Sequence, residues 1–231
     1  MKTSLKIINF YDNLERISYK SKIEVLNPYI RPEVKKIYKA FYHKFFDDNN
    51  KRIILFGINP GRLGGGITGI PFTDPYNLKE NCGIDSNFKI KKELSSKFIY
   101  EMIDAYGSIY QFYKKFFISS ICPYGFTLNG KNINYYDDIK LFDKWKNKIV
   151  EWIRFQIEHI GLNKTCVIIG KGKNQKFFEL LNKEYKFFDE IIALPHPRWI
   201  LQYRSKHKNF YIENYIKTLK QIKSLIAEEN L

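Results

Sequence analysis

Cysteine is scarce in this chain of 231 residues: only Cys82, Cys122 and Cys166 occur. An odd, scattered set argues against a disulfide framework and against a four-thiolate zinc or iron–sulfur site. Cys122 and Cys166 sit in apolar runs, where small buried thiols are common. Histidine is nearly as rare, at four, and His196 and His207 have no carboxylate or thiol beside them at ligand spacing. No metal and no cofactor are expected. No apolar run approaches the roughly 20 residues of a membrane span. The first residues lack a signal peptide's apolar centre, so a cytoplasmic protein is expected. Repeats, low-complexity tracts and Pro/Ser linkers are absent. A single domain over 1–231 is therefore expected, with 1–24 as an N-terminal extension.

Acidic residues are few relative to basic ones, 24 against 39, which leaves a net charge of +15. That balance suits a polyanionic partner, and nucleic acid is the first candidate. AT-rich codons offer a competing source for many of the lysines. Arginine is the cleaner signal, with only seven among the 39 basic residues. Arg62, Arg198 and Arg204 lie in or beside two segments rich in Gly, Pro and aromatics. Guanidinium forks phosphate and stacks on bases as ammonium cannot.

What is present is a regular alternation. Four apolar runs read as strands buried on both faces: RIILFGI (52–58), FFISSI (116–121), TCVIIG (165–170) and EIIALP (190–195). Helical patterns separate them. Residues 33–47 carry Ile37, Ala40, Phe41 and Phe45 on one stripe. Residues 89–115 form two pieces broken at Gly107. Residues 137–160 and 173–185 follow, and 209–226 repeats the period from Ile212 to Ile226. Strands alternating with helices predict an α/β fold, a three-layer α/β/α arrangement around a four-stranded parallel sheet.

In such folds ligands bind outside the carboxyl ends of the strands. Three segments there are rich in Gly, Pro, Asn and aromatics: NPGRLGGGITGIPF after the first run, CPYGFTLNGKN after the second and HPRWILQYRSKHKN after the fourth. The first holds most of the motif GINPGRLGGGITGIPF (57–72), with six of the chain's 13 glycines. It is not a Walker loop, because no Gly-Lys-Ser/Thr follows. It is not a dinucleotide fingerprint, because two prolines resist the helix that must come next. What remains is backbone able to approach a flat ligand, with one carboxamide, Asn59, able to hold a water or hydroxyl. Asn59 also fits a plain turn before proline.

These residues resemble the uracil-DNA glycosylase superfamily, closest to its single-strand-selective monofunctional branch. GINPGRLGGGITGIPF is similar to that branch's Gly-Met-Asn-Pro-Gly and the Thr-Gly-Val-Pro-Phe that follows. FFISSICPYGF is similar to its second strand and Cys-Pro, and LPHPRW to its second motif. The likeness runs from about residue 25 to 220, with two departures. Ser120 stands where the family has a base-reading Asn, and the second motif is shortened before its arginine. The pattern is that of a divergent bacterial branch.

The resemblance implies a monofunctional DNA glycosylase of base-excision repair, with no lyase step. It would flip a deaminated base from single- or double-stranded DNA and hydrolyse its N-glycosidic bond. Asn59 would position the attacking water, and His196 would donate to the base carbonyl as charge builds there. Ile58, Gly61, Phe72 and Ser120 would line the base pocket. Phe72 reads equally as a core residue, His196 as a helix cap and Ser120 as a small buried strand residue. Strand alternation lets only one of Ser119 and Ser120 face the pocket. A serine there predicts weaker discrimination of uracil, with hypoxanthine and xanthine as further substrates. A loop at 197–208 would meet DNA, with Arg198 or Trp199 as the wedge and Arg204, Lys206 and Lys208 on phosphates, alongside Arg62. The same loop also fits a solvated basic surface. A monomer is expected. The competing reading is a nucleic-acid-binding protein on the same fold with weak or lost catalysis.

Overall fold

The computed structural model describes residues 1–17, 22–162 and 164–228, without the side chains of 223–228. Ile226 therefore falls outside the described side chains, and 18–21 outside the described part of 1–24. Four parallel strands form the central sheet: β2 (Ile53–Gly57), β3 (Phe116–Ser120), β6 (Thr165–Ile169) and β7 (Glu190–Leu194), in the order β3-β2-β6-β7. β2, β3 and β6 are buried at every residue, as continuous apolar runs require. The chain reverses direction across the sheet at β2. This switch point places the segment after Gly57 in the crevice where such folds hold ligands.

Helices cover both faces. Among the described residues they are α1 (Thr3–Asp12), α2 (Pro32–Phe45), α3 (Gly65–Thr68), α4 (Pro75–Glu80), α5 (Leu94–Tyr106), α6 (Ile109–Tyr113), α7 (Ile139–His159), α8 (Lys173–Tyr185), α9 (Pro197–Tyr203) and α10 (Lys208–Glu228). The expected helices are present, and Gly107 ends α5 at the expected break. α2 starts on Pro32, whose fixed φ suits a first helical position. It buries Val34, Ile37, Tyr38, Phe41, Tyr42 and Phe45, while Ala40 is exposed. α1 packs on α2 and α7, and Tyr11 stacks on Tyr29 with ring centroids 4.6 Å apart. No described helix is long and apolar enough to cross a membrane.

Two segments depart from expectation. The stretch after β3 is a hairpin, not a loop. β4 (Gly125–Leu128) pairs with β5 (Lys131–Ile133) on one side and with β1 (Ile23–Leu26) on the other, in a separate antiparallel sheet. Asn129 and Gly130, at φ 50° and 70°, form its two-residue turn. Two positive φ values match the hand of strand twist, and Asn-Gly tolerates them best. The expected loop at 197–208 is instead α9 followed by a 3-10 turn over Ser205–His207. Pro197 opens α9, and His196 caps it by accepting from the Arg198 amide. That local chemistry outweighs the loop-like composition of the segment.

Candidate active site

The segments leaving β2, β3 and β7 converge on a cavity of about 330 Å³ at the carboxyl end of the sheet. Ile58, Asn59, Gly61, Phe72, Ser120, His196, Arg198 and Trp199 all line it. Arg62 and the cationic residues beyond Trp199 do not. The volume suits one small flat group.

β2 and β3 end in register, with Gly57 opposite Ser120. Strand alternation then separates the two serines. Ser119 turns to the helical layer and donates to the Gln156 side-chain oxygen on α7. Ser120 faces the cavity. Gly57 is required by close approach: a Cβ there would lie 2.5 Å from Cε2 of Phe72. Phe72 itself has φ 55°, a left-handed conformation rare for an aromatic residue and of the kind that clusters at functional sites. Its ring lies 5.8 Å from that of His196, tilted by 44°. One wall of the cavity is therefore aromatic.

Asn59 is held on both sides, by the end of the hairpin's exit strand and by the turn that follows it. Its Nδ2 donates to the Ile133 carbonyl at 3.3 Å, and its Oδ1 accepts from the Tyr135 amide at 3.2 Å. One N–H and one lone pair stay free. Asn132 and Asn134, from the same hairpin, also line the cavity, and Asn132 Oδ1 accepts from the Arg62 amide at 3.2 Å.

His196 Nδ1 accepts from the Arg198 backbone N–H at 3.2 Å. A backbone N–H only donates, so Nδ1 carries no proton, and the neutral ring holds its hydrogen on Nε2. Burial, then the nearby Arg198 charge, drive the imidazole pKa down to about 4. At neutral pH the ring is an uncharged donor. This is the state in which an imidazole presents a dipole to a carbonyl oxygen.

The cavity also contains a carboxylate that sequence reasoning missed, Glu93. It stands at the N-cap position of α5 without capping, and its amide donates to Asp74 Oδ2 at 2.6 Å. Its side chain lies over the glycine loop: a Cβ on Gly64 would collide with Oε2, and one on Gly61 would come within 2.9 Å of Oε1. Burial and the Asp74 charge raise its pKa to about 7, against the opposing pull of Arg198.

The basic residues divide. Arg198 and Trp199 stand exposed at the cavity mouth. The Arg204 guanidinium lies 5.3 Å from the Trp199 ring centroid, and Arg204 and Lys206 line an adjoining depression with Tyr203 and Phe210. Lys208 already has a partner: its Nζ pairs with Glu101 on α5 at 2.7 Å.

A family model, uracil DNA glycosylase superfamily, matches residues 43–220. The chain belongs to the uracil-DNA glycosylase superfamily. Its fold is similar to the crystal structure of wild-type SMUG2 from Pedobacter heparinus, at 44% identity and a TM-score of 0.93. The match covers 97% of this chain and 99% of that one. No curated protein matches. The matched span includes the glycine loop, Ser120 and His196.

Proposed function

We propose that the protein is a monofunctional DNA glycosylase that hydrolyses the N-glycosidic bond of a flipped deaminated base. Uracil is the first substrate, with hypoxanthine and xanthine accepted as well. The observation that carries the reading is the His196 tautomer, with a neutral ring and Nε2–H in the same cavity as Asn59. In the oxocarbenium-like transition state the base departs as an anion. A fixed donor on its carbonyl oxygen stabilises that charge without reorganisation. Asn59 places the attacking water with its free lone pair or N–H. Phe72 stacks on the base, and Gly61 and Ile58 present backbone to it. Ser120 offers a single hydroxyl where a carboxamide would offer a paired donor and acceptor, which favours several bases over one.

No lysine lines the cavity among the described residues, which supports hydrolysis without a Schiff-base lyase step. Arg198 or Trp199 fills the gap left by the flipped base, and Arg204, Lys206 and Arg62 meet the backbone. The chain works as one unit and as a monomer, in base-excision repair on cytoplasmic DNA. One continuous core running from Ile7 to Ile222 supports the single unit. The competing reading is a DNA-binding protein with weak catalysis. It is favoured by the two hydrogen bonds that already engage Asn59.

The test is an oligonucleotide panel carrying uracil, hypoxanthine or xanthine, single- and double-stranded, scored for abasic product beside a gel shift. Product from uracil, and from at least one purine, is expected. Binding without product selects the competing reading. Strict uracil preference, unchanged in Ser120→Ala, removes the role given to Ser120.

A further inference from the structure

Asn59 can place a water but cannot take its proton, because a carboxamide does not titrate in this range. His196 cannot take it either. Its Nδ1 is occupied by the Arg198 amide, and its Nε2 already bears a hydrogen. Hydrolysis nonetheless releases a proton from the attacking water. Glu93 is the other carboxyl or imidazole group lining the cavity.

Its placement is specific. Asp74 holds the Glu93 backbone, so the side chain leaves the start of α5 toward the loop that also carries Asn59. Gly61 and Gly64 leave the space its two oxygens occupy. Neither oxygen makes a hydrogen bond among the described residues. A cavity-lining carboxylate with free lone pairs has acceptor capacity that a water can fill.

We propose that Glu93 is the proton acceptor for the hydrolytic water. Resting on the glycosylase reading above, the step balances as follows. The water oxygen bonds to C1′ of the sugar, and one water proton passes to a Glu93 oxygen. The C1′–N bond breaks with its electron pair on the base. The base anion, held at its carbonyl oxygen by His196, collects a proton from solvent, and Glu93 returns its own to solvent. The carboxylate's negative charge also faces the developing sugar cation.

The environment of Glu93 makes the step visible in a pH profile. Burial, then Asp74 at the start of α4, disfavour its ionised form, and Arg198 on α9 favours it. On the side away from the cavity it borders a depression lined by Lys92, Lys97, Glu101 and Asp104. The carboxyl titrates at about 7, so the ionised fraction, and with it the rate, rises with pH through neutrality. His196, at about 4, stays neutral throughout.

The experiment is single-turnover excision from a base that the wild-type enzyme cleaves, between pH 5.5 and 8.5, for wild type, Glu93→Gln and Glu93→Asp. Wild type should show a rate rising to a plateau with an apparent pKa near 7. Glu93→Gln should lose roughly 100-fold at the plateau, the scale of one general base, and lose the titration. Glu93→Asp should keep the titration at a reduced rate. Oligonucleotide affinity should change little in either variant. A flat wild-type profile overturns the proposal even where a variant fails to fold. So does Glu93→Gln with a wild-type rate or an unchanged profile. Absence of product from every base in wild type overturns the glycosylase reading itself, so the two failures are distinct.

Discussion

The two ends of β2 handle buried polarity in opposite ways. At the amino end Arg52 is fully buried, and each of its three guanidinium nitrogens has a partner. Its Nε donates to the Tyr113 carbonyl at 2.9 Å, Nη1 to Asp48 and the Asn50 carbonyl, and Nη2 to Asp48 at 2.8 Å. The Phe46 ring lies 5.2 Å away. At the carboxyl end Gly57 opens onto Asn59, Ser120, His196 and Glu93, where polar groups keep free valences and Phe72 holds a strained backbone. Polarity partnered within the protein fixes a fold. Polarity left open in a cavity is capacity for a ligand and costs stability until one arrives. The same strand therefore anchors the sheet at one end and opens onto the candidate site at the other.

That contrast is broken most directly at Arg52. Arg52→Ala removes the cation beside Asp48, strips the Tyr113 carbonyl of its donor and leaves a void. We expect a loss of about 3 kcal/mol, read as a lowered urea midpoint. The single-turnover rate of the folded fraction should be unchanged. A slowed reaction in fully folded protein would join the two ends that the contrast separates. The opposite pattern belongs to His196. His196→Ala should slow excision about 100- to 1,000-fold, the loss seen for one preorganised donor. Only the α9 cap is lost to stability, about 1 kcal/mol. Wild-type turnover would remove His196 from the chemistry.

A subtler difference lies in pH. The His196 pKa is lower in the folded chain, about 4 against 6.5, so the unfolded state binds its proton first. Its contribution to stability is full above about pH 6.5 and is lost as pH falls toward 4. Glu93 is shifted the other way, from 4.5 to about 7, so the folded state binds its proton first. Its contribution is full below about pH 4.5 and is lost as pH rises through 7. Between these values the two oppose each other. Glu93→Gln leaves His196 alone, so its stability should fall more steeply than wild type on acidification from pH 6.5 to 4.5. Parallel curves in urea titrations would deny Glu93 its shifted state.

The same division explains what could be read in the sequence. β2, β3 and β6 are continuous apolar runs, and burial on both faces leaves that signature without tertiary information; β7, at the sheet edge, reads alike but is only partly buried. The positions of Asn59 and His196 followed from their place after strand ends. The hairpin of β4 and β5 was obscured because its strands are short and β5 is largely exposed. Its usable signal was Asn129-Gly130 between FTL and KNI. Glu93 carried no signal at all. It stands in the charged stretch KIKKELSS, and only the glycine loop some thirty residues away buries it. Lys208 matched a basic pattern, but its partner Glu101 is a hundred residues distant.

That last pair yields the smallest expected effect. Lys206 is exposed on the 3-10 turn beside Arg204, with no ion pair among the described residues, so it is available to a phosphate. Lys208, two positions on, already spends its charge on Glu101 and is about a third exposed. Counterion release makes the distinction measurable. Lys206→Ala should lower the slope of log affinity against log salt by about one, uniformly across sequences. Lys208→Ala should lower it by less, because forming a phosphate contact there means giving up the carboxylate at 2.7 Å. Equal slopes for the two variants would mean that the Glu101 pair opens when DNA binds, and would place the start of α10 on the DNA face after all.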